Sequence, residues 1–354
     1  MRILFIQSTL ERGGITSQLI CLIPELIKLG HEPSILTLST EPIDSEEKFF
    51  ENLGVPVYKL GIKRWWPTFA IGILFKRILR QINPDIIQTS TLRPTVFSSK
   101  FGVGFKRVGV LQSDIIENYC DTYGSFLGRK FADAEFKAFK KLEGQVVVSR
   151  FLRDKFGSRL GQNLHIIPNG IPKPTVNPYP NLNEEKTYFL VAGLLIPRKN
   201  PELIINAFLK SKWSKTAQLR MAGKGPLLES LIEKYKEFPQ IHFCGQLNSD
   251  ELGKERSMAS LYISASLSEG LPFSVIEALA WKLPCLLSDI PPHTELAALN
   301  DKGVSLFKSN SETDLIERLD ALELAGNKVE LRFPDAENMA KSYFNLYQSL
   351  LDNS

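Results

Sequence analysis

Short apolar runs alternate with segments of helical spacing along most of the chain, and this alternation constrains the fold more than any other feature. The run Ile3–Ile6 is continuously apolar, which is typical of a strand buried on both faces. A turn at Gly13 and Gly14 follows, and the helical spacing of Ile15–Leu29 ends at Gly30. The pattern recurs many times, which predicts an α/β fold with parallel, doubly wound sheets.

A proline-rich segment divides this alternation into two series. Residues 168–186 begin with Pro168, Asn169 and Gly170 and continue with further prolines, which can extend neither a helix nor an inner strand. We therefore predict a Rossmann-like domain at 1–168, a linker at 169–186 and a second Rossmann-like domain at 187–334. The 354 residues, 43% of them hydrophobic, suffice for two cores, and a last helical pattern at 335–354 is expected to pack back on the first domain.

Composition argues against several other classes of protein. A net charge of +4 is too small to indicate a nucleic-acid-binding protein. The cysteines are widely spaced, so neither a disulfide framework nor a zinc site is expected at Cys21, Cys120, Cys244 and Cys285. No secretory signal and no apolar run of membrane-spanning length is found, so we expect a cytoplasmic protein.

One segment concentrates residues suited to a phosphorylated ligand. It follows the predicted strand Leu261–Ser264, carries Glu269 in a loop, and enters a helix that bears Glu277. Free backbone N–H groups at such a helix start, together with the helix dipole, attract phosphate. Two carboxylates beside it suit a sugar nucleotide, with the predicted contacts Glu269, Gly270, Leu271, Pro272, Phe273, Ser274 and Glu277. The alternative is a surface loop in which Glu277 is a solvated helix residue.

The spacing Glu269-x7-Glu277, with Gly-Leu-Pro after the first glutamate, resembles the signature of the family four retaining glycosyltransferases. These enzymes have the GT-B fold, in which two Rossmann-like domains face each other across a cleft. Other motifs agree in order and cover nearly the whole chain: Gly13-Gly14, Ile167–Ile171, Gly193 to Lys199, Ala222–Pro226 and Phe243–Gln246.

This resemblance implies a hexosyltransferase that moves a sugar from a nucleotide-diphospho-sugar to a glycan or lipid-linked acceptor in cell-envelope polysaccharide synthesis. A UDP-sugar is favoured over a GDP-sugar as the donor. The second domain would bind this donor, and the first domain would bind the acceptor. No further cofactor is implied. Glu269 is expected to contact hydroxyls of the transferred sugar, and Glu277 those of the ribose. Lys199 with Arg198 is expected to stabilise the charge that grows on the leaving diphosphate.

Four glycines are also assigned to the site by the resemblance. Gly13 and Gly14 are expected beside the donor phosphates or the acceptor, because glycine lets the backbone approach a ligand closely. Gly223 and Gly245 are expected to border the base and ribose. For Gly223 a simple turn is an equally good interpretation.

The sequence departs from the family pattern at two positions. Leu194 stands where an arginine is common, so the diphosphate lacks one expected cation unless Arg198 replaces it. Gln112 stands where a substrate-binding histidine is common, and an amide cannot take up a proton near neutral pH. Acid–base chemistry by a histidine at this position is therefore excluded, whereas a displacement in which the leaving phosphate takes the proton stays open. No Asp-x-Asp motif is present, so we expect a metal-independent mechanism.

A basic, aromatic segment at 63–80 suggests a peripheral membrane contact. Lys63, Arg64, Lys76, Arg77 and Arg80 occur there without an acidic residue, between aromatic and aliphatic side chains. Such a stretch suits the surface of an anionic membrane, here the inner face of the cell membrane. The alternative is a partly buried helix with a solvated basic face.

Two other functions remain open from the sequence. A sugar-nucleotide epimerase on the same fold would convert the donor without an acceptor. A non-catalytic relative would bind the nucleotide-sugar and release no nucleotide, and Leu194 and Gln112 are the features that favour it.

Overall fold

The computed structural model of the protein describes residues 1–62, 68–161, 164–174, 187–300, 302–323 and 331–352. The chain forms two compact units, an N-terminal unit of Met1–Pro172 with Pro334–Ser354 and a C-terminal unit of Lys173–Phe333. Each unit has a parallel sheet with connecting helices, so the predicted α/β class with two Rossmann-like domains is confirmed. The linker predicted at 169–186 lies outside the described residues from position 175 onward.

The N-terminal unit is built on a sheet of parallel strands. Its strands are β1 Arg2–Gln7, β2 Glu32–Thr37, β3 Val57–Lys59, β4 Ile86–Ser90, β5 Lys106–Leu111, β6 Gly144–Val147 and β7 His165–Ile166. Its helices are α1 Gly14–Lys28, α2 Glu47–Asn52, α3 Thr68–Ile82, α4 Leu92–Phe101, α5 Ile115–Phe139, α6 Arg150–Leu160 and α13 Ala336–Asp352. The spatial order β3-β2-β1-β4-β5-β6-β7 places β1 and β4 at the topological switch point, where α/β sheets bind their ligands.

The C-terminal unit repeats this plan. Its strands are β8 Thr187–Ala192, β9 Ala217–Ala222, β10 Ile241–Gly245, β11 Leu261–Ser264, β12 Cys285–Ser288 and β13 Val304–Phe307. Its helices are α7 Pro201–Lys210, α8 Leu228–Tyr235, α9 Ser249–Met258, α10 Phe273–Ala280, α11 Pro291–Ala297 and α12 Glu312–Asp320. The order β10-β9-β8-β11-β12-β13 places the switch point between β8 and β11, next to the segment that carries Glu269.

The C-terminal helix belongs to the N-terminal unit. α13 packs against α1, and its buried face includes Met339, Tyr343 and Tyr347. The chain leaves and re-enters this unit at neighbouring points, because the Ile171 amide donates to the Pro334 carbonyl oxygen at 3.1 Å and the Ala336 amide to the Ile171 carbonyl oxygen at 2.9 Å.

Helix α5 is broken at Gly124. This glycine has φ 77° and ψ 161°, outside the helical region, so two helical pieces meet there. The later piece lies so close to the earlier one that a Cβ on Gly128 would come within 2.5 Å of the Cys120 amide nitrogen. Tyr119 and Glu135 join the two pieces through a hydrogen bond of 2.5 Å from the tyrosine hydroxyl to the carboxylate. The break therefore directs the chain back along itself just after β5.

The described helices include none with both the length and the hydropathy that crossing a bilayer requires. The four cysteines are free, and Cys285 is buried.

Candidate active site

The segment between β11 and α10 ends in a helix start without a side-chain cap. Pro272 is the N-cap residue, with an extended backbone, and it cannot supply the side-chain oxygen that usually satisfies first-turn amides. Gly270, Leu271 and Pro272 are buried, whereas Phe273 and Ser274 are half-buried. The first turn therefore receives no hydrogen bond from an N-cap side chain, and the binding of phosphate by its amides stays a prediction.

Glu269 lies buried at the centre of a charged cluster, and its side chain is 9% exposed. Lys199 Nζ donates to one carboxylate oxygen, and Arg198 Nη1 lies 3.5 Å from the other. Burial raises the pKa of the Glu269 carboxyl, but the attraction of Lys199 and Arg198 outweighs it and lowers this pKa to about 2. The structure thus brings together the three residues predicted to be catalytic, with Glu269 ionised at neutral pH.

Arg198 also holds the loop that carries Glu269. Its Nη1 donates to the Ser268 carbonyl oxygen at 2.5 Å, and its own carbonyl oxygen accepts from the Leu267 amide at 2.8 Å. Leu194, at the position where the family pattern has a cation, is 45% exposed. A small cavity beside Lys199 is lined in part by Leu194 and Ser264. Arg198 therefore supplies a second positive charge to this loop.

His293 is a member of this cluster that the sequence did not identify. Its Nδ1 lies 2.9 Å from the Ser288 carbonyl oxygen, which can only accept, so Nδ1 carries the proton. Burial lowers the pKa of His293 to about 4, although the Glu269 carboxylate acts in the opposite direction. The ring is therefore neutral near pH 7, and Nε2 is buried without a hydrogen-bond partner in the described parts of the chain.

Glu277, the second glutamate of the signature, lies in the middle of α10 and forms an ion pair with Arg256 of α9. The Arg256 side chain is 6% exposed and that of Glu277 is 32% exposed, so the carboxylate reaches solvent while the guanidinium does not. Arg256 was not identified from the sequence, because no local pattern places α9 against α10.

The loops at Gly223 and Gly245 meet at the carboxyl edge of the C-terminal sheet. The Gly223 amide donates to the Gly245 carbonyl oxygen at 2.7 Å, and a Cβ on Gly223 would collide with the Gly193 carbonyl oxygen. Gly245 has φ 65°, in the left-handed region that favours glycine. Local packing explains the glycine at position 223, and backbone conformation explains the glycine at position 245, without reference to a ligand. The expected contact of these loops with base and ribose stays a prediction.

In the N-terminal unit, Gly13 is the N-cap residue of α1 and Gly14 is its first residue, after the loop that follows β1. Gly13 has an extended backbone and its side chain position faces open space, with no atom within 4 Å of a Cβ placed there. The Gly13 carbonyl oxygen accepts from the Ser17 amide at 2.8 Å. This glycine is therefore not needed for local packing, and its proposed contact to a ligand rests on the open space.

Gln112 follows β5 and is held by a chain of buried polar side chains. Its Nε2 donates to Gln18 Oε1 at 2.8 Å and to Ser90 Oγ at 3.4 Å. Gln18 in turn donates to Asn169 Oδ1 at 2.8 Å and to the Tyr343 hydroxyl at 3.3 Å. Both protons of the Gln112 amide are used inside the protein, so only its carbonyl oxygen remains to accept a hydrogen bond from a substrate hydroxyl.

Both units match models of known protein families. Residues 12–173 match the model described as Glycosyltransferase Family 4, and residues 173–338 match the model described as Glycosyl transferases group 1. The two matches meet at residue 173, next to the boundary between the two compact units.

Individual proteins are similar over parts of the chain. The O-antigen biosynthesis glycosyltransferase WbnH of Escherichia coli is 33% identical over 158 residues, which are 44% of this chain and 42% of WbnH. The O-antigen chain mannosyltransferase RfbU of Salmonella typhimurium is 26% identical over 166 residues, which are 44% of this chain and 45% of RfbU. The chain thus aligns with less than half the length of these relatives.

Among solved structures, HepE of Anabaena, determined with UDP and glucose, has a TM-score of 0.80 at 14% identity. The superposition covers 99% of this chain and 100% of HepE, and it shows the shared fold.

Proposed function

The chain belongs to the group 1 glycosyltransferases, and from this premise we propose that it transfers a hexose from a nucleotide-diphospho-sugar to a glycan or lipid-linked acceptor, with retention of configuration. The observation that carries the proposal is the cluster of Glu269, Lys199 and Arg198 beside the uncapped start of α10. HepE was solved with UDP, which favours a UDP-sugar. WbnH and RfbU act in O-antigen synthesis, which favours cell-envelope polysaccharide as the product.

In this proposal the diphosphate binds the first-turn amides of α10, while Lys199 and Arg198 offset its charge. Glu269 uses one donor of Lys199, and the ammonium has two more for phosphate oxygens. Glu269 would orient hydroxyls of the transferred sugar. The bond from the anomeric carbon to the leaving phosphate oxygen breaks as the acceptor oxygen bonds to that carbon on the same face. The acceptor proton passes to the leaving phosphate, the route that stays open because position 112 has glutamine where the family pattern has histidine.

We propose that the reaction needs no metal ion. The proposal rests on the cations described above, which can take the electrostatic role of a metal at the diphosphate.

A thermal-shift panel of UDP, GDP, ADP and their sugar conjugates tests the donor. A ligand that binds the folded state raises the melting temperature, and we expect the largest rise with a UDP-sugar. Transfer from that donor to lipid-linked glycan, followed by NMR assignment of the new anomeric linkage, then tests the reaction and its retention. No rise with any nucleotide would contradict the proposal.

Incubation with donor alone separates the two alternatives. A sugar-nucleotide epimerase would convert the donor without acceptor, whereas a binding relative would raise the melting temperature yet release no nucleotide when acceptor is added. The ion pairs around Glu269 favour an enzyme, because they provide cations where the leaving group develops charge.

We further propose that α3 contacts an anionic membrane. Residues 63–67, with Lys63 and Arg64, lie outside the described part of the chain, so the proposal rests on α3. Lys76, Arg77 and Arg80 are exposed, and Ile73 and Leu74 are exposed beside them. Two of the apolar side chains of this segment, Ile71 and Phe75, are buried in the core and are not part of such a surface.

Vesicle sedimentation at low salt tests this contact. Replacing the three exposed α3 cations with glutamine should release the protein from anionic vesicles, since each contributes about 1 kcal/mol near such a surface. A charge-matched control replaces Lys215, Lys234 and Lys236 of the C-terminal unit and should leave binding unchanged. Wild-type protein that does not bind anionic vesicles at low salt would contradict the contact.

A further inference from the structure

The ion pair between Arg256 and Glu277 joins a buried cation to a carboxylate that reaches solvent. Arg256 Nη2 donates to Glu277 Oε2, and Glu277 Oε1 accepts no hydrogen bond from the described residues. Because the guanidinium is buried, it has lost its hydration, and Glu277 supplies the compensating charge. One carboxylate oxygen is therefore held in place while the other is available to a ligand.

The backbone around Arg256 leaves little freedom to this cation. The preceding residue, Glu255, forms two hydrogen bonds of 2.6 Å with Arg220 of β9, and its carbonyl oxygen accepts from the Tyr188 hydroxyl at 2.9 Å. α9 is thus tied to β8 and β9 directly next to Arg256. A side chain fixed at its base and buried along its length can determine the rotamer of its partner on α10.

We propose that Arg256 is a positioning residue: it orients Glu277, and Glu277 recognises the nucleotide. Arg256 holds Oε2 so that Oε1 accepts a hydrogen bond from a ribose hydroxyl. This inference rests on the proposed function, because it takes the ligand to be a nucleotide. Arg256 also compensates the negative charge of Glu277, which would otherwise repel the diphosphate. A purely structural ion pair would explain the burial of Arg256, but it would give no preference among nucleotides.

The discriminating measurement is the preference for a ribonucleotide over its deoxy form. Calorimetry gives the dissociation constants of UDP, 2′-deoxy-UDP and 3′-deoxy-UDP, and of the corresponding guanine nucleotides, for wild-type protein and Arg256→Met. In the wild type we expect one of the deoxy forms to bind at least about tenfold more weakly, as expected for the loss of a hydrogen bond to a charged group. In Arg256→Met this preference should fall to about one, because UDP loses the hydrogen bond to Glu277 that the deoxy form never makes, whereas any repulsion of the diphosphate by Glu277 weakens both nucleotides alike.

A buried pair of the same kind in the N-terminal unit provides the control. Arg107 and Glu143 have side-chain exposures of 8% and 33%, nearly those of Arg256 and Glu277. Arg107→Met should lower the melting temperature without changing the preference between UDP and its deoxy forms. If Arg256→Met does not fold, Arg256→Lys replaces it, since it keeps the charge and is expected to reduce the preference partly.

The outcomes separate this inference from the proposed function. Unchanged preference in a folded Arg256 variant, or a wild type that binds UDP and its deoxy forms equally, overturns the inference and leaves nucleotide binding intact. Failure of the wild type to bind any nucleotide overturns the proposed function itself. In a Glu277→Gln background, Arg256→Met should cause no further loss of preference, and a further loss would show that Arg256 does not act through Glu277.

Discussion

Substituting Glu135 with glutamine should change how the stability of the protein depends on pH. Glu135 is 1% exposed and lies in the second half of α5, where it accepts a hydrogen bond of 2.5 Å from Tyr119. Burial raises the pKa of this carboxyl to about 7, against a smaller opposite effect of the tyrosine hydroxyl. Glutamine has nearly the same shape and can still accept from Tyr119, but it does not ionise.

The sign and size of the effect follow from linkage. The folded-state pKa is above the ordinary value of 4.5, so the contribution of Glu135 to stability is complete below pH 4.5 and is lost as the pH rises through 7. At about 1.4 kcal/mol for each pKa unit, this loss approaches about 3.5 kcal/mol above the folded-state pKa. Relative to wild type, Glu135→Gln should therefore gain stability between pH 5 and pH 8 by about 2 kcal/mol.

Urea unfolding of both proteins at several values between pH 5 and pH 8 measures this difference. A general defect of the glutamine variant would lower its unfolding free energy by the same amount at every pH. The predicted effect is instead a difference in unfolding free energy between variant and wild type that changes with pH. Glu143→Gln is the control, because the carboxyl of Glu143 stays ionised throughout the tested range. Its partial burial raises the pKa, but the hydrogen bonds from Arg107 outweigh this effect and lower the pKa below its ordinary value. Parallel stability curves for wild type and Glu135→Gln would refute the reasoning.

Three further predictions concern the site. Glu269→Gln should abolish transfer and lower the unfolding free energy by about 3 kcal/mol, because two partly buried cations lose their counter-charge; transfer assays and urea unfolding at pH 7 measure this. Gly223→Ala should lower the melting temperature and nucleotide affinity, since its Cβ meets the Gly193 carbonyl oxygen, whereas Gly13→Ala, which has open space, should leave the melting temperature unchanged. Transfer should survive EDTA, and activity that is lost with EDTA and restored by magnesium or manganese would contradict a metal-independent reaction.

Local patterns were enough to predict the fold class and one half of the site. The apolar runs of β1 and the helical spacing of α3 and α13 can be recognised in short windows, because burial on both faces of a strand or one face of a helix leaves a periodic trace. Glu269 and Glu277 could be proposed as site residues because one contiguous segment, a loop followed by a helix, carries both. Lys199 and Arg198 needed the motif resemblance as well, because they lie about 70 positions away from Glu269.

Contacts between distant segments could not be predicted in this way. Arg256 meets Glu277 only after α9 and α10 have folded against the same sheet, and neither residue carries a local signal of that pairing. His293 resembled an ordinary structural histidine, and its position near Glu269 depends on β12 and α11. The break of α5 at Gly124 was not predicted either, because a single glycine inside a helix more often weakens the helix than turns it.

The Gln112 position shows how tertiary context changes the meaning of a departure from a motif. In the sequence alone, this glutamine means only that no histidine is present at position 112 to act as an acid or a base. In the folded unit it is the end of a hydrogen-bonded chain through Gln18 to Asn169 and Tyr343, and the last three of these side chains are buried. Burying these polar groups costs free energy unless each has a hydrogen-bond partner. Turning the Gln112 amide would break this series of hydrogen bonds, and the orientation of the amide is therefore strongly fixed. A fixed carbonyl oxygen suits an uncharged hydroxyl, and this agrees with a proposed mechanism in which the proton leaves with the phosphate.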